Sequence, residues 1–216
     1  MTAPSAPLPA SALARLRALL DGDGRRLLGL VGAPGSGKST LAQALQRAFP
    51  DIAVVVPMDG FHLANAELAR LGRAGRKGAP DTFDSAGYVA LLQRLRAQRP
   101  DEDIYAPEFR REIEEAVAGA IVVPATARLV ITEGNYLLLD DGHWWRAAAL
   151  LDEVWYVEVD PARRGEQLVA RHRQFGRSHA AALDWVARTD EPNARLIEAT
   201  RARAQFVFDR DAAEAG

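Results

Sequence analysis

A glycine-rich turn between an apolar run and an amphipathic run constrains this chain more than any other feature. Residues 27–45 read LLGLVGAPGSGKSTLAQAL. The apolar run predicts a buried strand at Leu27–Val31, and the periodicity after the turn predicts a helix from Lys38 to about Phe49. A strand that leads through glycines into a helix is typical of α/β proteins that bind phosphate groups with their backbone.

The turn satisfies the pattern G-x-x-x-x-G-K-[S/T]. Its glycines let backbone N–H groups close around a phosphate chain at a helix N-terminus. Lys38 is then placed to reach the terminal phosphates, and the Ser39 hydroxyl to take one position around Mg²⁺. Among the 27 lysines and arginines, the only other lysine is Lys77, so lysine is not the default cation of this chain. The predicted nucleotide-binding residues are Gly32, Ala33, Pro34, Gly35, Ser36, Gly37, Lys38, Ser39 and Thr40.

The composition limits the classes of protein to which the chain can belong. Its 216 residues, 48% hydrophobic and 26% charged, suit one globular domain. A net charge of −2 gives no sign of a nucleic-acid partner, and the absence of cysteine excludes disulfides and thiolate metal sites. No apolar stretch approaches the ~20 residues of a membrane span, and the N-terminus lacks a signal-peptide pattern. We therefore expect a cytoplasmic protein with no nucleic-acid or membrane partner, and whether it forms a homodimer is left open.

Strand and helix patterns alternate along the chain. Apolar runs predict strands at Leu27–Val31, Ile52–Pro57, Ala120–Val123, Arg128–Thr132 and Glu153–Val159. Helical periodicity predicts helices at Ser11–Leu20, Lys38–Phe49, Ser85–Gln98, His143–Leu151, Ala162–Gln174, Ala180–Arg188 and Asn193–Phe208. The segment Asp59–Asp84 is predicted to be rich in loops.

This alternation predicts an α/β fold with a mainly parallel sheet covered by helices on both faces. No repeat, low-complexity tract or linker divides the chain. We expect a single domain at residues 11–210, with flexible tails at residues 1–10 and 211–216.

Two acidic residues follow predicted parallel strands, at the sheet edge where ligands of α/β proteins bind. Asp59 comes after the strand Ile52–Pro57, and Glu133 comes after Arg128–Thr132. Phosphoryl transfer to an alcohol requires one carboxylate to accept the hydroxyl proton and another to hold Mg²⁺. Asp59 suits the first role and Glu133 the second, although each acid taken singly also fits a turn or a strand end.

Four segments carry a resemblance to a known group. They are the phosphate loop, MDGFH after the second strand, RKGAPDTFD at Arg76–Asp84 and EGNY at Glu133–Tyr136. Over about Leu28 to Ala204 the chain resembles the uridine kinase, phosphoribulokinase and pantothenate kinase family, in particular a bacterial branch described as nucleoside-kinase-like or fructose-transport-linked. The resemblance implies a three-layer P-loop fold with a helical lid, ATP and Mg²⁺ as cofactors and a small alcohol as acceptor. It also implies that Asp59 is the base and that Glu133 binds magnesium or substrate.

The same resemblance implies an arginine-bearing lid after the strand Glu153–Val159. The matching segment, Asp160–Arg173, reads DPARRGEQLVARHR. A lid arginine neutralises charge on the transferred phosphoryl group. Arg171 and Arg173 are the candidates, and the sequence does not choose between them.

The identity of the acceptor is less constrained. Pantothenate and uridine kinases carry Tyr-Asp-His in the region that matches Tyr105-Ala106-Pro107, and the loss of two hydrogen-bonding side chains argues against both of their substrates. Tyr105 itself stays a candidate substrate contact. Arg111 follows in the same segment and fits either an anionic group of the acceptor or a solvated surface.

Four further residues are candidates for acceptor contacts. Asn193 matches a substrate-contacting asparagine of pantothenate kinase, but it also suits a helix N-cap, which is the interpretation we favour. His62 and Tyr136 flank the expected acceptor pocket, although His62 also fits a packed ring at a turn. Lys77 lies on a glycine-rich loop that could close over the acceptor.

Two functions agree with these patterns. The first is an ATP-dependent phosphotransferase with Mg²⁺ and a nucleoside-, pantothenate- or sugar-like acceptor, in which Lys38 and a lid arginine stabilise the γ-phosphoryl group. The second is a nucleotide-dependent switch or adaptor that controls a protein partner. A second acid beside a separate pocket favours the kinase, and an acceptor screen separates the two.

Overall fold

Five parallel strands form the central sheet of the protein, which a computed structural model describes over residues 8–215. Together with a separate hairpin, the described residues form these strands: β1 (Arg26–Val31), β2 (Ala53–Val55), β3 (Ile104–Arg110), β4 (Glu115–Val123), β5 (Leu129–Gly134), β6 (Glu153–Glu158) and β7 (Phe206–Asp209). The sheet has the order β2–β5–β1–β6–β7, and β3 and β4 form a separate antiparallel hairpin. The predicted α/β fold with a parallel sheet is confirmed.

Helices cover both faces of this sheet. They are α1 (Ala10–Leu19), α2 (Lys38–Ala48), α3 (Asn65–Arg70), α4 (Ser85–Arg96), α5 (Trp145–Ala149), α6 (Pro161–Gln174), α7 (His179–Trp185), α8 (Glu191–Glu198) and α9 (Arg210–Ala215). One hydrophobic cluster contains Leu16 of α1 and Leu45 of α2, and the other contains Tyr88 of α4 and Ala147 of α5. Each cluster joins one face of the sheet to the helices that cover it. Helices, sheet and helices therefore form three layers, as the alternating pattern predicts. Over residues 8–215 none of the helices combines the length and the apolar character that crossing a bilayer requires.

The β3–β4 hairpin is the largest difference from the predicted elements. The sequence pattern predicts only the end of β4, at Ala120–Val123. Pro107 and the charged side chains of β3 hide its strand pattern, and the hairpin register shifts between Ala106 and Glu108. Most side chains of β4 are exposed or only partly buried, so this strand lacks the apolar alternation that reveals a half-buried strand.

Three other segments differ from the prediction. The segment Asp59–Asp84 contains the short helix α3 and three 3₁₀ turns. The predicted helix Asn193–Phe208 is replaced by α8, which ends at Glu198, and by β7. The strand forms because its backbone pairs with β6, a contact that the local sequence pattern does not reveal. A π-helical turn, Val186–Asp190, joins α7 to α8.

Parts of both expected tails lie within the described residues. Residues 211–215, expected to be flexible, belong to α9, and Ala213 packs against the core. At the other end α1 begins at Ala10, and Leu8 also packs against the core. Residues 1–7 lie outside the described part of the chain.

The parallel topology decides where functional side chains meet. The phosphate loop, residues 32–37, follows β1, and Asp59 follows β2. Glu133 lies near the carboxyl end of β5, and α6 starts beyond the carboxyl end of β6. Since these strands run in one direction, all four features lie at the same edge of the sheet.

Candidate active site

The phosphate loop is left-handed at two of its glycines. Gly35 and Gly37 have φ values of +82° and +91°, where residues with a side chain are strained. A Cβ on Gly32 would lie 2.6 Å from the carbonyl oxygen of Val157, so the loop packs directly on β6. The loop leads into the N-terminus of α2 at Lys38, where free N–H groups and the helix dipole favour a phosphate.

Lys38 is buried beneath this loop. Its side chain donates hydrogen bonds from Nζ to the carbonyl oxygens of Gly32 at 2.9 Å and Ala33 at 3.1 Å. Burial lowers the pKa of Lys38 to about 8, and the charges of Glu133 and Asp59 oppose that shift. An ammonium group that is hydrogen-bonded only to carbonyl oxygens gains a charged partner when a phosphate enters the loop.

Ser39 and Glu133 form an oxygen-rich pair at the start of α2. Ser39 Oγ donates a hydrogen bond to Glu133 Oε1 at 2.8 Å. Burial raises the pKa of Glu133, and the charge of Asp59 raises it further. In the described residues no three His, Cys, Asp or Glu side chains cluster to hold a metal by themselves. Hard oxygen donors suit Mg²⁺, so the pair fits a cation whose remaining ligands are phosphate oxygens and water.

Asp59 lies in a 3₁₀ turn, Met58–Phe61, directly after β2. A Cβ on the next residue, Gly60, would lie 2.2 Å from the carbonyl oxygen of Pro107, so glycine lets the hairpin approach this turn. The Asp59 carboxylate is 3.6 Å from the guanidinium of Arg111, which lies in the turn of the hairpin. The side chain of Asp59 is 31% exposed and therefore accessible to a ligand.

A cleft of about 510 Å³ connects the phosphate loop to the hairpin. On the loop side the predicted residues that line it are Pro34, Gly35, Lys38 and Ser39. Around the Asp59 carboxylate they are Asp59, Glu133, Arg111 and Arg171. The others are His62 and Lys77, which contact Phe109 of the hairpin, and Asn193 of α8. These last three residues are called the far side. The fold thus gathers four of the nine predicted nucleotide-binding residues and six of the eight predicted substrate contacts around one cavity.

His62 both packs at a turn and lines the cleft, so its two predicted roles are compatible. Its Nδ1 is 2.8 Å from the carbonyl oxygen of Asp59. The ring centroid lies 4.0 Å from that of Phe83 and 4.6 Å from that of Phe109. Burial lowers the pKa of His62, which favours a neutral ring. Lys77 also contacts this wall, with Nζ 5.1 Å from the Phe109 centroid.

Eight of the predicted residues do not line the cleft: Gly32, Ala33, Ser36, Gly37 and Thr40 of the nucleotide-binding set, together with Tyr105, Tyr136 and Arg173. Tyr105 is 57% exposed and lies outside it. Tyr136 is fully buried among aromatic rings and donates its hydroxyl to the carbonyl oxygen of Gly78, so it supports the fold. Arg173 and Thr40 are exposed. Arg173 lies two residues beyond Arg171, roughly 200° around the helix, which explains why only Arg171 lines the cleft.

Asn193 differs from the favoured prediction. The helix α8 begins at Glu191, so Asn193 lies within the first turn and is not the N-cap. Its side chain is buried and lines the cleft. The interpretation as a cap is therefore wrong, and a contact with a ligand stays a prediction.

Sequence reasoning missed several residues of the lid side. His172 Nε2 lies 2.7 Å from Asp190 Oδ2, which links α6 to the π-helical turn. The guanidinium of Arg177 lies 3.9 Å from the ring centroid of Trp185. All four residues line the cleft. The position of His172 beside Arg171 was a visible signal, but Trp185 and Asp190 join the site only through the packing of α7 and α8.

Comparison with known proteins shows that the chain is related to kinases. No family model matches it. It is 34% identical over 203 residues to a candidate uridine kinase of Schizosaccharomyces pombe, which covers 89% of this chain and 86% of the relative. It is 37% identical over 156 residues to an ATP-dependent kinase-like protein of Aspergillus versicolor, which covers 68% of this chain and 91% of the relative. The chain belongs to the uridine kinase and pantothenate kinase family of P-loop kinases.

Two solved structures resemble this chain and agree with its assignment to the P-loop kinases. The crystal structure of a candidate fructose transport system kinase from Silicibacter sp. TM1040 matches it with a TM-score of 0.83 and 40% identity, over 93% of this chain and 99% of that chain. YFH7 of Saccharomyces cerevisiae shares the fold, with a TM-score of 0.75 at 20% identity, over 92% of this chain and 96% of that chain. The protein is accordingly an enzyme, a small-molecule kinase.

Proposed function

We propose that the kinase transfers the γ-phosphoryl group of ATP to a hydroxyl of a small molecule, with Mg²⁺. The position of Asp59 carries this proposal. Its carboxylate lines the same cleft as Lys38 of the phosphate loop and the far-side residues His62, Lys77 and Asn193. A switch that only binds and hydrolyses a nucleotide needs no carboxylate beside such a further set of polar side chains.

Asp59, Lys38 and Arg171 of the cleft each have a role in this reaction. Asp59 accepts the proton of the acceptor hydroxyl while the hydroxyl oxygen of the acceptor forms a bond to the γ-phosphorus. The bond from the γ-phosphorus to ADP breaks, and ADP retains the electron pair. Lys38 and Arg171 offset negative charge on the transferred group, and the far side orients the acceptor.

Ser39 and Glu133 would hold Mg²⁺, which when bound supplies positive charge to the β- and γ-phosphate oxygens. The hydrogen bond between them fixes the Glu133 carboxylate at the start of α2 before any ligand arrives. The burial of Glu133 supports this role, because a buried carboxylate is stabilised by a cation.

The walls of the far side support a nucleoside-, pantothenate- or sugar-like alcohol as acceptor. Phe83 and Phe109 offer aromatic surface beside His62, and Asn135 and Asn193 line the same cleft with amide groups. Aromatic rings beside a few polar groups are typical of pockets that bind small polar organic molecules. Ala106 and Pro107 stand where pantothenate and uridine kinases carry Asp and His, which favours an acceptor that differs from both of their substrates.

An acceptor screen tests the proposed function. The purified kinase is given MgATP and a library of small alcohols, and ADP release is measured against the rate without acceptor. We expect at least one alcohol to raise the rate at least about tenfold and to appear as a phosphate ester by mass spectrometry. Asp59→Asn serves as the control, since it should bind ATP without this stimulation. If no alcohol stimulates the wild-type enzyme, the switch or adaptor function replaces the kinase proposal.

A further inference from the structure

The turn of the β3–β4 hairpin is fixed beside the cleft. Glu114 has a φ of +53°, a left-handed conformation that is strained for a residue with a side chain. Its carbonyl oxygen accepts hydrogen bonds from Asn65 Nδ2 at 3.1 Å and from Lys77 Nζ. The carboxylate of Glu115 accepts another from the backbone N–H of Asn65 at 2.9 Å. These bonds hold in place the turn that carries Arg111.

Arg111 lines the cleft and donates no hydrogen bond to any of the residues that the structure describes. Its guanidinium is 3.6 Å from Asp59 Oδ2, which is longer than a hydrogen bond, and nothing else in residues 8–215 forms an ion pair with it. The adjacent Arg110 differs, because it pairs with Glu108 at 2.7 Å and lies outside the cleft. A guanidinium with free donors beside a carboxylate base suits a planar oxyanion.

A second guanidinium, that of Arg171, lies within electrostatic range of Arg111. Arg171 of α6 lines the same cleft, and no ion pair in the described part of the chain involves it. Burial lowers the pKa of Arg171, and the charge of Arg111 lowers it further. The two like charges repel each other, and in the described residues neither is hydrogen-bonded to a carboxylate. An anion that contacts both would therefore offset this repulsion.

We propose that Arg111 and Arg171 bind the transferred phosphoryl group together, the hairpin supplying one arginine and the lid the other. The inference rests on the proposed function. As the acceptor oxygen bonds to the γ-phosphorus, the bond between the γ-phosphorus and ADP breaks and ADP keeps the electron pair. The hydroxyl proton passes to Asp59. The three peripheral oxygens of the phosphoryl group carry the negative charge to which both guanidinium groups donate hydrogen bonds.

The hairpin then couples charge neutralisation to the acceptor side. Phe109 of β3 packs its ring 4.6 Å from that of His62 and forms part of the far wall. One element therefore supplies both a wall of the acceptor pocket and a cation for the phosphoryl group. Arg111 acts in the reaction and is not merely a recognition residue for an anionic acceptor.

Aluminium fluoride tests this role without an acceptor. With MgADP it forms a mimic of the phosphoryl group in transfer, and water takes the place of the alcohol. The Kd of MgADP is measured calorimetrically with and without aluminium fluoride for the wild-type enzyme, Arg111→Ala and Arg110→Ala. We expect aluminium fluoride to tighten MgADP binding in the wild type and Arg110→Ala, and this gain to fall at least about tenfold in Arg111→Ala. MgADP alone should bind equally to all three proteins.

Each other outcome has a defined meaning. If Arg111→Ala keeps the wild-type gain, or if the wild type shows no gain, the proposed role of Arg111 is overturned while the kinase function stands. A wild-type gain in Arg111→Ala together with a raised KM for anionic acceptors alone would place Arg111 on the acceptor. If the wild type fails to bind MgADP at all, the proposed function itself fails. Thermal unfolding of Arg111→Ala checks that this partly exposed substitution leaves the fold intact.

Discussion

The Ser39 hydroxyl donates a hydrogen bond to Glu133 Oε1 at 2.8 Å and thereby joins the start of α2 to the end of β5. The two residues are 94 positions apart in the chain. Their contact exists because β1 and β5 are neighbouring parallel strands, with Val31 opposite Gly134. The loop that binds phosphate and the acid that favours a cation are therefore held together before the nucleotide arrives.

Substitution Glu133→Gln should raise the Mg²⁺ concentration that half-maximal activity requires, by about tenfold or more. The amide keeps the size of the side chain but removes the negative charge that attracts the cation. The measurement is the rate of ADP release as a function of Mg²⁺ at saturating ATP. An unchanged Mg²⁺ requirement would remove Glu133 from the metal site.

Substitution Asp59→Asn should lower kcat by about 10²-fold or more, because the amide cannot accept the acceptor proton. The affinity for MgATP should survive, since Asp59 lies outside the phosphate loop. Steady-state kinetics with the acceptor from the screen give kcat, and calorimetry gives the ATP affinity. Turnover close to wild type would show that another group accepts the proton.

Substitution Arg171→Ala should lower kcat by about 10²-fold, the effect of removing one charged donor from the transition state. Arg173→Ala should leave kcat close to wild type, because that side chain is exposed and lies outside the cleft. The two variants remove the same charge from the same helix. Equal losses in both would mean that general charge, and not position, explains the effect.

Substitution Gly60→Ala should destabilise the fold and lower kcat together. The added Cβ would lie 2.2 Å from the carbonyl oxygen of Pro107, so the turn that carries Asp59 must move away from the hairpin. Overpacking of this kind typically costs about 1–3 kcal/mol. Urea unfolding measures the loss, and Gly75→Ala is the control because an added Cβ there meets nothing within 4 Å. Equal stability of the two variants would contradict the close approach.

The stability of the kinase should fall as the pH drops below the unfolded pKa of histidine, about 6.5, partly because of His62. Burial lowers the folded pKa of His62, although the charge of Asp59 and the hydrogen bond to its backbone act in the opposite direction. The unfolded chain therefore takes up the proton at a higher pH than the folded protein. Folding stability from His62 is present above that pH and is lost below it, until the folded ring is also protonated.

Urea unfolding at pH 7.5 and pH 5.5 measures this dependence. His62→Gln should lose less stability between the two pH values than the wild type. His143→Gln, a change of the same kind at an exposed position, should behave like the wild type. A wild-type pH dependence in His62→Gln would show that the burial of this ring has no such effect.

Local chemistry made part of this molecule predictable. The glycines of the phosphate loop, Lys38 and Ser39 are recognisable because a backbone cradle needs these residue types at fixed spacing. Asp59 and Glu133 could be found because each follows a continuous apolar strand, and parallel strands end at one edge. These features depend on neighbours in sequence and on a simple topological rule.

Tertiary structure alone decided which of several equivalent side chains enter the cleft. Arg111 enters it and Arg110 does not, because adjacent residues at a hairpin turn point in different directions. Arg171 enters it because α6 packs against the phosphate loop at Leu168, which lies one helical turn before Arg171 and would be 2.8 Å from a Cβ on Gly35. The sequence by itself determined a phosphate-binding α/β protein with two acids at the sheet edge. The packing of the hairpin and the lid helices determined the rest of the site, since the direction of a side chain depends on what its element packs against.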